Sequence, residues 1–218
     1  MKARIDAIIH REQAEYLDRL LPENTGVLAE MEAYASQYQI PIADREVARF
    51  LEITVRVLQA RRALEIGAAI GYSIIHMARA MPQDGLLISI EPKDEMIRLA
   101  TGYIERAGLQ QRVRIEQGRA LEVMPRLAER FDLIYLDAVK EEYVQYLDLA
   151  VPMLRAGGVI IADNVLWGGQ VAGQIRSPDQ QASTEALREF NRRFINHEEL
   201  LAVVLPVGDG LGYAVKLG

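Results

Sequence analysis

Two short segments of this chain carry residue types that bind a hard cation. Asp137-Ala138-Val139-Lys140 closes one apolar run, and Asp163-Asn164 closes another. If the two runs are neighbouring strands, their ends lie about 5 Å apart, and Asp137, Asp163 and Asn164 bring oxygen atoms to one point. Three oxygen donors without His or Cys suit Mg2+, Mn2+ or Ca2+, with other positions left to water or substrate. Asp and Asn also favour helix N-caps, so each alone has a structural explanation. The converging trio points to a metal. Lys140 follows Asp137 by three residues. A cation beside it would disfavour the protonated amine and fit it to accept a proton; without one it is a solvated lysine.

A second group precedes these. An apolar run ends in Glu65-Ile66-Gly67-Ala68-Ala69-Ile70-Gly71-Tyr72-Ser73. Gly67 allows a sharp turn and close approach of a ligand to the backbone. Gly71 permits tight packing where a helix starts, and Ser73 offers a hydroxyl in its first turn. The G-x-x-x-G spacing is not the G-x-G-x-x-G that packs a pyrophosphate, so a nucleoside without phosphates fits better, although such glycines also serve simply as turns. Glu91, twenty residues past Gly71 at the end of the next apolar run, is placed to accept hydrogen bonds from two ribose hydroxyls. In Gln117-Gly118-Arg119-Ala120, small residues leave room for an adenine edge.

These residues need a scaffold that aligns strand ends. Apolar runs of strand length at 63–66, 86–90, 113–116, 133–136 and 159–162 alternate with helical patterns at 73–81, 94–107, 121–130 and 141–154. Runs apolar along their whole length, separated by helices, predict a parallel sheet covered on both faces. Ligands then sit at the carboxyl ends of the strands, where the residues above fall. A helix over about 180–194 precedes strands at 200–205 and 213–217, joined through Gly208-Asp209-Gly210 as an antiparallel hairpin. Residues 168–181 read as a mobile loop. In the first forty residues, Ile5, Ile8, Ile9, Tyr16, Leu17, Leu20 and Leu21 recur at helical spacing. Further helices are expected at 27–38 and 44–59. The organisation expected is an N-terminal helical cap or subunit contact, 1–60, within the same domain as a core at 61–218.

Composition bounds the rest. The 218 residues are 50% hydrophobic and 26% charged, with 31 acidic against 25 basic side chains and a net charge of -6. That balance excludes a fibrous, largely disordered or membrane-embedded chain, and disfavours general attraction to nucleic acid. With no cysteine, thiolate metal sites and cysteine nucleophiles are excluded, and a cytoplasmic setting is the simplest expectation. The charges in MKARIDAIIHRE argue against a secretory leader. No apolar run nears the ~18 residues of a membrane span.

At the quoted residues the sequence resembles the metal-dependent, S-adenosylmethionine-dependent O-methyltransferases of the catechol and caffeoyl-CoA type, bacterial branch. The matching segments are Glu65–Ser73, Ile90-Glu91, Asp137–Lys140, Asp163-Asn164-Val165-Leu166-Trp167 and Leu205-Pro206-Val207-Gly208-Asp209-Gly210-Leu211, in the family's order from about Pro41 onward. The resemblance implies an α/β, Rossmann-like, seven-stranded sheet with an antiparallel last strand, plus N-terminal helices over the site. It implies cofactor contacts at Glu65, Gly67, Ser73, Glu91 and Ala120, and Gly71, Gly118 and Asp137 complete the expected cofactor-binding set. It assigns Asp137, Asp163 and Asn164 to a divalent cation, Mg2+ ahead of Mn2+ or Ca2+, and Lys140 to the general base. Many relatives carry a second acid where this chain has Val139, so any cofactor contact made by that acid is missing here. The expected acceptor is a small hydroxylated aromatic, catechol-like or hydroxycinnamoyl, and Trp167 is either a wall for a flat ring, together with Gly168-Gly169, or an ordinary packed side chain. The alternative acceptor is 5-hydroxyuridine in tRNA, for which Arg45, Arg49, Arg56, Arg61 and Arg62 form either a local basic patch or a scatter of surface charges. A homodimer is the family's usual state.

Overall fold

The computed structural model describes residues 11–175 and 177–218; the pattern at Ile5, Ile8 and Ile9 lies outside them. Among the described residues, three helices come first: α1 (Arg11–Leu20), α2 (Val27–Tyr38) and α3 (Arg45–Leu58). Strands and helices then alternate as β1 (Arg62–Ile66), α4 (Tyr72–Ala80), β2 (Leu86–Glu91), α5 (Asp94–Arg106), β3 (Val113–Gln117), α6 (Ala120–Val123), β4 (Phe131–Leu136), α7 (Tyr143–Met153) and β5 (Leu154–Ala162). Helix α8 (Gln181–Ile195) leads into β6 (Leu200–Leu205) and β7 (Leu211–Lys216).

Among the described residues, seven strands form one sheet in the order β3-β2-β1-β4-β5-β7-β6. Pairs from β3 through β5 are parallel. Strand β7 runs antiparallel to both neighbours, β5 and β6; the pairing with β6 is the hairpin expected from the Gly208–Gly210 turn, and the antiparallel setting beside β5 is what the family resemblance implied. Alternation sends successive residues to opposite faces. Ala63, Leu87, Leu133, Tyr135, Val159 and Ile161 join a core with α2, α3 and α4. Leu64, Ile66, Ile88, Ile134, Leu136 and Ile160 join the other, with α7 and α8. Each fully buried Leu or Ile contributes roughly 1.5–3 kcal/mol, so both faces hold the strands in register.

Differences from the sequence pattern are local. The helix expected over 121–130 shortens to α6 and a 3₁₀ turn, Met124–Arg126, because Pro125 lacks the N–H needed to continue the ladder. The helix expected from Glu141 opens as a 3₁₀ turn, Lys140–Glu142, before α7. In α1, Tyr16, Leu17 and Leu20 stay exposed while Ala14 is buried. One carboxylate binds three chain segments together: Asp132 accepts the amides of Arg61 at 2.7 Å and Arg62 at 2.8 Å, and Arg155 Nε at 2.5 Å.

Candidate active site

Strand order reverses direction of growth between β1 and β4, and the residues after those strands touch. Asp137 donates its amide to Ile66 O at 2.9 Å, and Gly67 donates to Ile90 O at 3.0 Å. Gly67 has φ +102°, and a Cβ there would collide with the carbonyl oxygen of Asp137. Only a residue without a side chain lets the two loops meet so closely. Gly71, with φ +88°, sits where α4 begins, its missing side chain facing Ala100 at 3.2 Å.

Under the glycine turn lies Glu65, fully buried. It accepts a hydrogen bond from Ser73 Oγ and another from Ser89 Oγ at 2.6 Å. Burial pushes its carboxyl up to about 7; the two hydroxyls oppose the rise, and the charges of Asp137 and Glu91 add to it. The Ser73 hydroxyl therefore donates inward, to Glu65. Glu91 Oε2 accepts the amide of Ala69 at 3.1 Å and Oε1 that of Lys93 at 3.0 Å, so it also shapes the turn. Gly118 donates its amide to Glu91 O at 3.1 Å, and the buried Ala120 opens α6 beside it. These residues share one rim of the sheet.

The second group follows β4 and β5. Leu136 pairs with Ala162, and the amide of Asp163 reaches Leu136 O at 2.9 Å, which places Asp137 and Asp163 at adjacent strand ends. Asp163 is almost fully buried. Its Oδ2 accepts from Tyr135 Oη at 2.7 Å, and its Oδ1 accepts from Asn164 N at 2.7 Å and Nδ2 at 3.2 Å. Asn164 has φ +59°, a left-handed conformation that Asn adopts more readily than most residues. Lys140 is buried, its Nζ 3.0 Å from Asp137 Oδ1 and 2.6 Å from Tyr143 Oη. Tyr143 Oη in turn lies 3.1 Å from Leu136 O and 3.0 Å from Asp163 O. Among the described residues, no three His, Cys, Asp or Glu side chains gather as a metal site; the candidate set here has two carboxylates and an amide.

Three participants were not singled out from the sequence: Ser89, Tyr135 and Tyr143. Each had a signal. Ser89 is the register partner of Glu65. Tyr135 shares a strand face with a residue two places from its own partner Ile161, namely Asp163. Tyr143 follows Lys140 by three residues on a helical turn. Trp167 takes φ +50°, and its indole N–H is buried without a partner. Two carboxylate contacts hold the loop behind it: Gly168 N donates to Asp209 Oδ1 at 2.7 Å, and Gly208 N to Glu46 Oε1 at 2.5 Å.

The arginines considered for nucleic acid are largely engaged. Arg45 donates to the carbonyls of Leu21 and Pro22, Arg49 pairs with Glu52 at 2.7 Å, and Arg61 pairs with Asp84. Arg62 bonds the carbonyl of Arg61 at 3.0 Å.

A sheet of this order, with a glycine turn and acidic strand ends at its reversal point, is a Rossmann-like α/β fold with its candidate site at the switch point. The O-methyltransferase family model matches residues 12–217. Catechol O-methyltransferase from Niastella koreensis is 34% identical over 209 residues, covering 92% of this chain and 91% of that protein. Caffeoyl-CoA O-methyltransferase 2 from Populus trichocarpa is 28% identical, covering 87% and 80%. Among solved structures, the O-methyltransferase TomG from Streptomyces achromogenes in complex with S-adenosylmethionine superposes with a TM-score of 0.84 at 29% identity, covering 95% of this chain and 96% of its own. The chain belongs to the O-methyltransferase family, and it is an enzyme.

Proposed function

We propose that this enzyme transfers a methyl group from S-adenosylmethionine to a hydroxyl of a catechol-like or hydroxycinnamoyl small molecule, with a divalent cation at Asp137, Asp163 and Asn164. The observation that carries this reading is the contact of Gly67 with Asp137 across the reversal point. It brings the glycine turn directly against the end of β4 that carries Asp137, which supports a reading in which donor and acceptor are held at near-attack distance. The names of the relatives, catechol and caffeoyl-CoA O-methyltransferases, support the acceptor class.

The residues fit both groups. The turn at Gly67 and Gly71 has no side chain to obstruct a ligand. A carboxylate has about four acceptor positions, and Glu91 spends two on Ala69 and Lys93, which leaves capacity for a ribose diol. Glu65, Ser73, Gly118 and Ala120 would complete the cofactor pocket. The donor set of two carboxylates and an amide oxygen suits Mg2+ or another hard cation. When bound, the cofactor supplies an electrophilic methyl and the cation makes the acceptor hydroxyl more acidic. Lys140 Nζ takes the acceptor's proton. Tyr135 orients Asp163, and Trp167 with Gly168-Gly169 walls a flat ring. The helices up to residue 60 act as a cap over the core.

The same chain is read as a cytoplasmic homodimer. Phe50, on the face of α3 that presents exposed Ile53 and Val57, packs edge-on against Tyr213 at 5.5 Å. Tyr213 pairs with Val203, and both Val203 and Leu201 are exposed on the edge strand β6. A contiguous apolar face of this kind is what a subunit contact covers. Among the described residues no helix is long and apolar enough to cross a membrane.

The test is labelled-methyl transfer to catechol, caffeoyl-CoA and hydroxyuridine-containing tRNA, each with Mg2+ and with excess EDTA. Transfer to the aromatic acceptors that EDTA abolishes is expected. Full activity in EDTA removes the cation from the mechanism, and transfer to tRNA alone replaces the acceptor.

A further inference from the structure

We infer that Tyr143 is the positioning residue for Lys140, fixing the direction in which its amine meets the acceptor. The inference rests on the reading of Lys140 as the proton acceptor. Tyr143 is fully buried, and its ring packs edge-on against Phe190 at 5.2 Å and beside Tyr146 at 6.0 Å, so the phenol has one place to be. Its oxygen lies within hydrogen-bond reach of two carbonyls, Leu136 O and Asp163 O. A phenol has a single proton, and these carbonyls, which donate nothing, claim it. Toward Lys140 the oxygen can then act only as an acceptor, at 2.6 Å.

That polarity decides the geometry of the amine. Nζ is tetrahedral, with one direction occupied by its own carbon. One N–H is drawn to Tyr143 Oη and a second to Asp137 Oδ1 at 3.0 Å. The one direction left over points away from both partners, and it is the direction in which the amine meets the acceptor. The two carbonyls that hold the phenol's proton come from the ends of β4 and β5, the same ends that carry Asp137 and Asp163. One hydroxyl thereby refers the amine's position to both strand ends. A solvated lysine at this position would sample many rotamers and pay that entropy at each turnover.

The experiment is a double-mutant cycle of Tyr143→Phe and Lys140→Met, with kcat and KM measured for a catechol acceptor at saturating S-adenosylmethionine and Mg2+. Phe keeps the ring and its packing. The expected result for Tyr143→Phe is a fall of about tenfold to a hundredfold in kcat, a portion of the ~10²–10⁴ that a general base contributes. Acceptor KM, cofactor Kd and the Mg2+ half-saturation should stay within about threefold. On the Lys140→Met background the same substitution should change kcat by less than about twofold, because its target is gone. An unchanged kcat in the single variant overturns the inference, and so does an equal fall in both backgrounds, which would mark Tyr143 as a strand staple only.

A second readout does not depend on turnover. With 15N at the lysine side chains, the Lys140 amine protons should give a slowly exchanging NMR signal in the parent protein and lose it in Tyr143→Phe. Retention of that signal overturns the inference. If the parent protein methylates none of the acceptors, the functional reading fails while this measurement still decides the role of Tyr143.

Discussion

At the scale of single residues, Glu65 carries a measurable pH signature. Its carboxyl titrates near 4.5 in an unfolded chain and about 7 when buried. Between those values the native state holds a proton that the unfolded state has released, so stability falls as pH rises through the window. The full cost, about 3 kcal/mol at 1.36 kcal/mol per unit, applies above pH 7. Glu65→Gln should therefore melt higher than the parent at pH 8 in cofactor-free protein, with the difference shrinking toward pH 5. Parallel melting curves from pH 5 to 8 would show that Glu65 does not titrate there. The residues of the site were unevenly legible. Asp137, Lys140, Asp163, Asn164, Gly67 and Glu91 follow strand-length runs, and position after a strand was enough to single them out. Tyr135 and Tyr143 have aromatic rings that pattern as core, and the chain gives no sign of which core residue also spends a hydroxyl on a neighbour.

At the scale of elements, the strands could be read because runs such as Leu86–Glu91 and Phe131–Leu136 are buried on both faces. Their order could not come from the runs alone; adjacency of β4 and β5 had to be assumed before Asp137 and Asp163 could be joined. Helix ends were less legible where proline intervened, as at Pro125. Asp132 shows how little of an element's anchoring is visible in a hydrophobic pattern. Burial works against its charge, but Arg155 and the amides of Arg62 and Arg61 outweigh that and hold its carboxyl below the ordinary range. Asp132→Ala removes three charge-assisted bonds to two other segments, each worth roughly 1.5–3 kcal/mol, some of it recovered through solvent. A net loss of about 2 kcal/mol is expected in urea unfolding, with kcat per folded molecule unchanged. A loss below about 0.5 kcal/mol would mean that β1 is held in place without it.

At the scale of the whole molecule, the exposed apolar face of α3 and β6 predicts self-association. Introducing charge with Val57→Glu and Leu201→Glu should convert a dimer to monomer in sedimentation velocity while circular dichroism stays the same. A parent protein that sediments as a monomer at micromolar concentration would leave this face without the role given to it. The position of β7 has a different kind of consequence. Of the seven strands it is the last to be synthesised, yet it lies inside the sheet, bonded to β5 on one side and β6 on the other. A ribosome-bound chain that has not yet released residues 211–216 has β5 as a bare edge, with Asp163 and Asn164 at its tip. Such an edge pairs readily with another chain. The vulnerable moment in the life of this enzyme is therefore the interval before β7 leaves the exit tunnel, when the strand ends of the candidate site have been translated but have no wall beside them.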